Sequence, residues 1–316
     1  MNGWLLLDKP QGWTSTHVGT WVKKNCGVKK VGHVGTLDPM ATGVLILALN
    51  EATKLIPYLN EGAACAEGQA EGGTSENSPP FFPPPRQKTY EFDVCFGKTT
   101  DTLDSEGAIT EESRAPLPSK KQLLEACEPM VGPQEQIPPL YSALKKGGRR
   151  ACDLARQGVP VTLAPRRIWI HSLKLVDFPE NAETARFCAT VSPGTYVRAL
   201  ARDLAFRVGT LGFVTHLRRL QDGNVTARAI ISLEKLENLA HNLKWLEVLV
   251  PMEALLGDIP DVFVSERERK DLLLGRPVAA GGVQDSSAVK IFFHKQLIAM
   301  GAVRGGVCFP KRVLCF

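Results

Sequence analysis

The sequence predicts an α+β protein that ends in a small β-barrel. Three observations carry the prediction. The unbroken apolar run Val44-Leu45-Ile46-Leu47-Ala48-Leu49 reads as a strand buried on both faces. Residues 88–97, 167–177 and 184–191 alternate apolar and polar side chains, as half-buried strands do, whereas Val18, Trp21 and Val22, and the stretch 119–130, follow helical spacing. From about Pro251 short apolar stretches separated by glycine turns take over and end in the basic Lys311-Arg312, the pattern of a small barrel.

Composition narrows the class. The 316 residues are 44% hydrophobic and 22% charged, as in a globular protein of one or two domains. No apolar run approaches the roughly 18 residues of a membrane span. The start, Met1-Asn2-Gly3-Trp4-Leu5-Leu6-Leu7-Asp8, has no basic leader or cleavage site, so a cytoplasmic protein is expected. The eight cysteines form no Cys-x-x-Cys, and no histidine stands at zinc spacing, so neither a disulfide framework nor a metal site is expected. The net charge of +5 is uneven. Residues 140–228 hold 15 Lys/Arg against 6 Asp/Glu, and residues 88–137 hold 5 against 10. Such a basic region suits a phosphate backbone, and on charge alone a solvated surface explains it equally well.

Taken in order, residues 4–8 make a short strand, Lys9-Pro10-Gln11-Gly12 a turn, and Thr14 or Ser15 the cap of the next helix. Lys23, Lys24, Lys29 and Lys30 read as surface charge. Residues 51–59 read as a short helix. Residues 61–87, rich in Gly, Ala, Glu and Pro, read as a disordered insertion. Gly97-Lys98-Thr99 mimics the end of a phosphate loop, but the earlier glycine that motif needs falls on Phe92. The polar loop 99–107 lacks the later glutamate of a calcium loop. Ser119 caps a helix to about 130, and residues 192–200 turn into another that ends near Gly209. Helices over 231–256 close the first domain.

One stretch stands out: Gly32-His33-Val34-Gly35-Thr36-Leu37-Asp38-Pro39-Met40-Ala41-Thr42-Gly43-Val44-Leu45. Read alone, Asp38-Pro39 is most simply a turn opener. The whole stretch resembles the signature of the TruB family of pseudouridine synthases, whose aspartate is the catalytic nucleophile. Four further strings resemble the same family. Leu7-Asp8-Lys9-Pro10-x-Gly12-x-Thr14-Ser15 matches a structural motif beside the site. Lys88-x-Tyr90, followed by Gly97-x-Thr99-x-Asp101-x-x-Asp104-x-x-Gly107, implies that Tyr90 lies against the target base; otherwise it reads as a half-core strand aromatic. Gly194-Thr195-Tyr196-x-Arg198 implies that Tyr196 contacts the base and Arg198 pairs with Asp38; without the resemblance Arg198 reads as helix-surface charge. Thr215-His216-Leu217-Arg218-Arg219-Leu220 implies a backbone contact from Leu217 and offers Arg218 and Arg219 to phosphates.

The basic, glycine-broken segment 134–160 resembles the family's thumb loop, with Lys145, Lys146, Arg149 and Arg150 as phosphate contacts. It departs from the pattern at Cys152, where a tyrosine is usual. His33 either wedges into the RNA or is structural. The resemblance implies a pseudouridine-synthase catalytic domain over 1–250, with a mixed, largely antiparallel sheet flanked by helices, and a PUA-like RNA-binding domain over 251–316. It further implies an isomerase that converts uridine 55 in the T-arm of tRNA without cofactor or metal, acting as a monomer away from membranes. The target nucleotide must leave its stack to react. Competing readings are a non-catalytic RNA binder and a guide-RNA-dependent synthase; the thumb-like segment favours the stand-alone enzyme.

Overall fold

Strand β1 (Gly3–Lys9) opens the chain in the computed structural model, which describes residues 1–61, 86–142, 144–179, 182–241, 243–257 and 259–315. Helix α1 (Ser15–Asn25) is capped by Thr14, whose side chain accepts the His17 N–H at 3.0 Å, and Lys23 and Lys24 face its carbonyl end. Strand β2 (Val31–Val34) leads into the Asp38 loop, and β3 (Thr42–Leu49) leaves it. Every residue of β3 after Thr42 is buried, as the apolar run predicts. The single helix expected over 51–59 is a 3-10 segment, Asn50–Leu55, followed by helix α2 (Ile56–Glu61). Pro57 sits in the first turn of α2, where a missing N–H costs nothing.

The expected insertion lies outside the described residues except at its ends, and its bounds need correction. Glu61 closes α2. Arg86 is buried against Asp222, and the Gln87 carbonyl accepts the Gly223 N–H at 2.8 Å. The fold therefore resumes at 86 rather than 88.

Strand β4 (Lys88–Phe96) alternates in burial as predicted, and β5 (Lys98–Thr100) pairs with β6 (Ile109–Glu112) across the polar loop. Helix α3 (Lys120–Cys127) starts at a capping box between Ser119 and Gln122. Strand β7 (Gly132–Gln136) follows. The centre of the thumb-like segment is a hairpin of β8 (Lys145–Lys146) and β9 (Arg149–Arg150), turned by Gly147 and Gly148 at φ +58° and +81°, and continued by helix α4 (Ala151–Arg156). Next come β10 (Arg166–Asp177), β11 (Thr184–Val191), α5 (Val197–Arg207), β12 (Gly212–Asp222), β13 (Val225–Thr226) and β14 (Ile231–Ser232). The helical expectation for 231–256 is met by α6 (Leu233–Ala240) and two 3-10 turns.

Ten of these strands form one mixed sheet, with main order β14-β1-β3-β12-β4-β11-β10-β7. Its pairings are antiparallel except β1 with β14 and β3 with β12. Strand β12 runs along β4 for most of its length but touches β3 only at Arg218↔Thr42 and Arg219↔Gly43. Gly43 is obligatory at that crossing. Its φ is +96°, and a Cβ there would stand 2.2 Å from the Arg219 carbonyl oxygen.

Alternation along β1 and β3 divides the core. Leu5, Leu7, Leu45 and Leu47 join Val18, Val22, Phe92 and Leu200 on one face. Trp4, Leu6, Val44 and Ile46 join Met252, Leu256, Phe292 and Met300 on the other. That second face explains the continuous apolar run, because the C-terminal unit covers it. The unit comprises β15 (Asp261–Phe263), α7 (Glu266–Leu273), β16 (Val278–Ala279), β17 (Ser286–Phe293), β18 (Gln296–Arg304) and β19 (Val307–Val313). Its sheet, in order β15-β17-β18-β19-β16, curls around Val262, Leu272, Val289, Ile291 and Ile298. The basic end read as a tail is strand β19. The Trp4 indole N–H donates to the Met252 carbonyl at 2.8 Å, so the expected boundary at 250 runs through a shared core.

Candidate active site

The Asp38 loop is pinned from beneath by the first strand and helix. Lys9, fully buried, donates to the carbonyls of Pro10, Trp13 and Pro39 at 2.8, 2.5 and 3.0 Å. Burial pulls its ammonium down to about 8, against the pull of Glu106 and Asp38. Ser15 Oγ accepts the Leu37 N–H at 2.9 Å and donates to the Leu37 carbonyl at 3.2 Å. Gly12 N–H donates to the Pro39 carbonyl at 2.8 Å. The loop thus has a fixed shape before any ligand arrives.

Asp38 looks into a cavity of about 430 Å³ that is also lined by Lys88, Tyr90, Asp104, Glu106, Tyr141, Ser142, Cys152, Tyr196, Arg198 and Leu217. Arg198, on the first turn of α5 and nearly buried, grips the Asp38 carboxylate: Nη2 donates to Oδ1 at 3.1 Å and Nε stands in ion-pair contact with Oδ2 at 2.9 Å. Its other N–H groups reach Asp104 Oδ2 at 3.2 Å and the carbonyls of Thr102 at 2.7 Å and Tyr141 at 3.0 Å. Each guanidinium nitrogen thus stands against a carboxylate or carbonyl oxygen. Of the two carboxylates, Asp104 is 4% exposed and also accepts from Thr102 Oγ1 at 2.6 Å and the Glu106 N–H at 3.0 Å. Asp38 is 32% exposed and opens to the cavity. The geometry makes Asp104 the anchor and Asp38 the group that can react.

Tyr90 is buried on β4 beside the cavity, and Tyr196 sits half-buried at the start of α5. Burial raises both phenols, so both keep their protons at neutral pH. The Gln136 amide fixes the Tyr196 backbone, accepting its N–H at 2.9 Å and donating to its carbonyl at 3.2 Å. Glu106 is raised by burial and by the neighbouring Asp104 and Asp38. The segment after β7 closes over this space through Tyr141, Ser142 and Cys152.

A family model described as TruB family pseudouridylate synthase (N terminal domain) matches residues 23–75 and 82–197. The chain belongs to the TruB family.

Curated TruB relatives carry the name tRNA pseudouridine synthase B. That of Caulobacter sp. (strain K31) is 37% identical, over 99% of this chain and 96% of its own length. That of Zymomonas mobilis is 39% identical over 96% and 93%, and that of Aquifex aeolicus 36% identical over 99% and 100%. Among solved structures, a Cbf5-Nop10-Gar1 complex matches at TM-score 0.69 and 21% identity, covering 98% of this chain and 84% of that one. An H/ACA RNP bound to a substrate RNA containing 2'-deoxyuridine matches at 0.68 and 20%, covering 99% and 85%. These two show a shared fold.

Of the residues expected in a TruB site, Asp38, Tyr90, Tyr196, Arg198 and Leu217 all line the one cavity. His33 does not. It sits on β2, half-buried, opposite Leu47, and burial and the nearby Arg219 both lower its pKa. Arg219 corrects the phosphate assignment outright: it is fully buried and donates to the Val44 and Gly35 carbonyls at 2.7 and 3.3 Å. Arg218 is committed to Asp8, with donors at 2.7 and 3.0 Å to its two oxygens, and the bond to Asp8 raises its pKa. Lys145, Lys146, Arg149 and Arg150 share the hairpin, and the exposed Arg149 donates to the Gln157 side chain. Reading the sequence left Asp104, Glu106, Tyr141 and Lys88 without roles. Asp104 and Lys88 stand inside the family-like strings, as the second aspartate and the residue two before Tyr90. Among the described residues no group of His, Cys, Asp and Glu could hold a metal ion.

Proposed function

We propose that this chain isomerises uridine 55 in the T-arm of tRNA to pseudouridine, with Asp38 as nucleophile. The single observation that carries the mechanism is the ion pair of Arg198 with a partly exposed Asp38 at the wall of the cavity. A carboxylate so held is oriented toward its target. The uridine swings out of its stack and enters between Tyr90 and Tyr196. Each ring face that receives a base contributes about 1–3 kcal/mol. The carboxylate attacks the ribose or the ring, uracil separates from ribose, and the two rejoin through C5 of the ring. No water is consumed and no electrons are exchanged with a partner. The hairpin with Lys145, Lys146, Arg149 and Arg150 holds the tRNA backbone, and the curled C-terminal sheet extends the RNA surface as a PUA-like domain. The chain acts in the cytoplasm as a monomer and needs no cofactor.

Asp38→Asn tests this reading. The amide keeps the shape and removes the nucleophile. Tritium release from C5-labelled uridine in an unmodified tRNA transcript should fall to background, while tRNA affinity in filter binding and the melting temperature stay near wild type. Measurable turnover by the variant sinks the assignment, and no turnover by the wild type sinks the enzyme reading itself.

A further inference from the structure

Beneath the cavity, on the Tyr90 side, lies a charged cluster that the chemistry above does not use. Its anion is Asp222, fully buried at the end of β12. Arg86 holds Oδ1 at 2.7 and 2.8 Å. Arg219 Nη1 stands 3.5 Å and Lys88 Nζ 3.8 Å from Oδ2. Three cations therefore share one carboxylate, and the buried cluster carries two positive charges in excess. Burying charge without a close partner is unfavourable, so a site that does so is a candidate for function rather than stability.

Lys88 is the cation of the three that faces the reaction. It is 8% exposed and lines the same cavity as Asp38. Arg86 and Arg219 are each tied to backbone carbonyls, at 3.1 Å for Leu59 and 2.7 Å for Val44. The 3.8 Å from the Lys88 ammonium to Asp222 exceeds hydrogen-bond length. Room for the ammonium exists because residue 35 is glycine: a Cβ on Gly35 would stand 2.5 Å from Nζ. Burial holds this lysine down to about 8, with Asp222 pulling it up and Arg219 and Arg86 pushing it down.

We infer that Lys88 is a further catalytic residue, whose ammonium holds the negative charge that builds on the uracil ring during the isomerisation. The inference rests on the function proposed above. The Asp38 carboxylate brings one negative charge. When it bonds to the ribose carbon, the electron pair of the ribose–N1 bond leaves with uracil, and the charge moves to the ring. When it bonds to the ring instead, the C5–C6 π pair becomes an enolate, and the charge again sits on the ring. On the ribose path, bonding of C5 to the ribose carbon displaces the carboxylate. On the ring path the ribose–N1 bond breaks as the sugar passes to C5, and loss of the C5 proton expels the carboxylate from C6. On the ribose path the C5 proton likewise departs, and on both N1 ends protonated. Arg198 is already committed, each of its guanidinium nitrogens standing against a carboxylate or carbonyl oxygen. Lys88 is the buried cation of the cavity wall with no acceptor at hydrogen-bond length among the described residues. A donor aimed where charge develops accelerates that step.

The test uses the full chain and an unmodified tRNA transcript. Lys88→Met keeps the length and removes the charge; Lys88→Arg restores a charge. Tritium release is followed under single turnover at saturating enzyme, beside tRNA affinity across salt and thermal melting. The inference expects the Lys88→Met rate to fall on the order of 100-fold. It expects affinity and its salt slope to hold, the melting temperature to stay level or rise as cation repulsion is relieved, and Lys88→Arg to recover part of the rate. A rate within threefold of wild type overturns it. So does a fall in rate that tracks a lowered melting temperature or misfolding, which marks a structural lysine. A salt slope lower by roughly one unit with the saturated rate intact also overturns it, as the sign that Lys88 neutralises a phosphate. Asp38→Asn run in parallel separates the two failures. Turnover by that variant removes the underlying reading and this inference with it, whereas a dead Asp38→Asn beside a fully active Lys88→Met removes this inference alone.

Discussion

Asp222→Asn removes the one carboxylate beneath three cations and should be the most damaging single change away from the cavity. The asparagine oxygen can still accept from Arg86, but its NH₂ then points at Lys88 and Arg219, donors against a donor. Breaking a buried pair by removing one partner costs about 3–5 kcal/mol. At about 2–4 °C per kcal/mol for domains of this order, melting should fall by roughly 6–20 °C. The deficit should depend on pH in a stated direction. In the wild type Lys88 is held down to about 8 from 10.5, so its burial is unfavourable below about 8 and the penalty fades as pH rises toward 10.5, where the unfolded chain also loses the proton. Without Asp222 the lysine is held lower still. Above pH 9 it is neutral in both proteins, and the variant's deficit should shrink to the cost of breaking the arginine pairs. Adding Lys88→Met to Asp222→Asn should recover part of the stability at pH 7. Thermal melts by circular dichroism from pH 6 to 9.5 measure both the size and the pH dependence of the deficit. A drop under 2 °C, a deficit that grows with pH, or a double variant weaker than Asp222→Asn would refute the account of the cluster.

Two further outcomes follow from the same geometry. Gly43→Ala drives a Cβ to 2.2 Å from the Arg219 carbonyl at φ +96°, where both partners are backbone, so urea unfolding should show a destabilisation of more than about 2 kcal/mol. Replacing Lys145, Lys146, Arg149 and Arg150 with alanine should weaken tRNA binding and lower its salt slope by roughly one unit for each phosphate no longer neutralised; an unchanged slope places the basic face elsewhere.

What the sequence showed and what it hid follow from the range of the interactions. The Asp38 loop was legible because its shape is local: glycines and Pro39 lie within a few residues of the carboxylate, and the anchors Lys9 and Ser15 stand in a contiguous string. Asp104 was hidden because its partner Arg198 is distant in the chain, and within its own loop it looks like any polar turn residue. Adjacent arginines on a strand point to opposite faces. Arg218 therefore reaches Asp8 while Arg219 turns inward to Asp222, and assigning both to phosphate overlooked the period of the strand they occupy. The basic Lys311-Arg312 lie on the β19 strand, whose charges stand on a solvated face while its backbone pairs with β18.

The pairing of β12 with β4 explains why the two charged groups flank one cavity. Register sets Arg219 opposite Tyr90 and Leu217 opposite Phe92, so the strand whose Leu217 lines the cavity also carries Arg219 and Asp222 of the buried cluster. Tyr90 lies between the two: burial raises its phenol most, Arg219 lowers it, and Asp222 and Asp38 raise it. The phenol keeps its proton at neutral pH, and its ring offers the base a flat surface. The carboxylates Asp38 and Asp104 pair with Arg198 at the cavity wall, and Lys88, at the same wall, shares Asp222 with Arg86 and Arg219. On the function proposed above, a uridine in this cavity loses its bond to ribose with the attacking carboxylate and the Lys88 ammonium both at the wall, and the ammonium attracts the electrons as they move onto the ring.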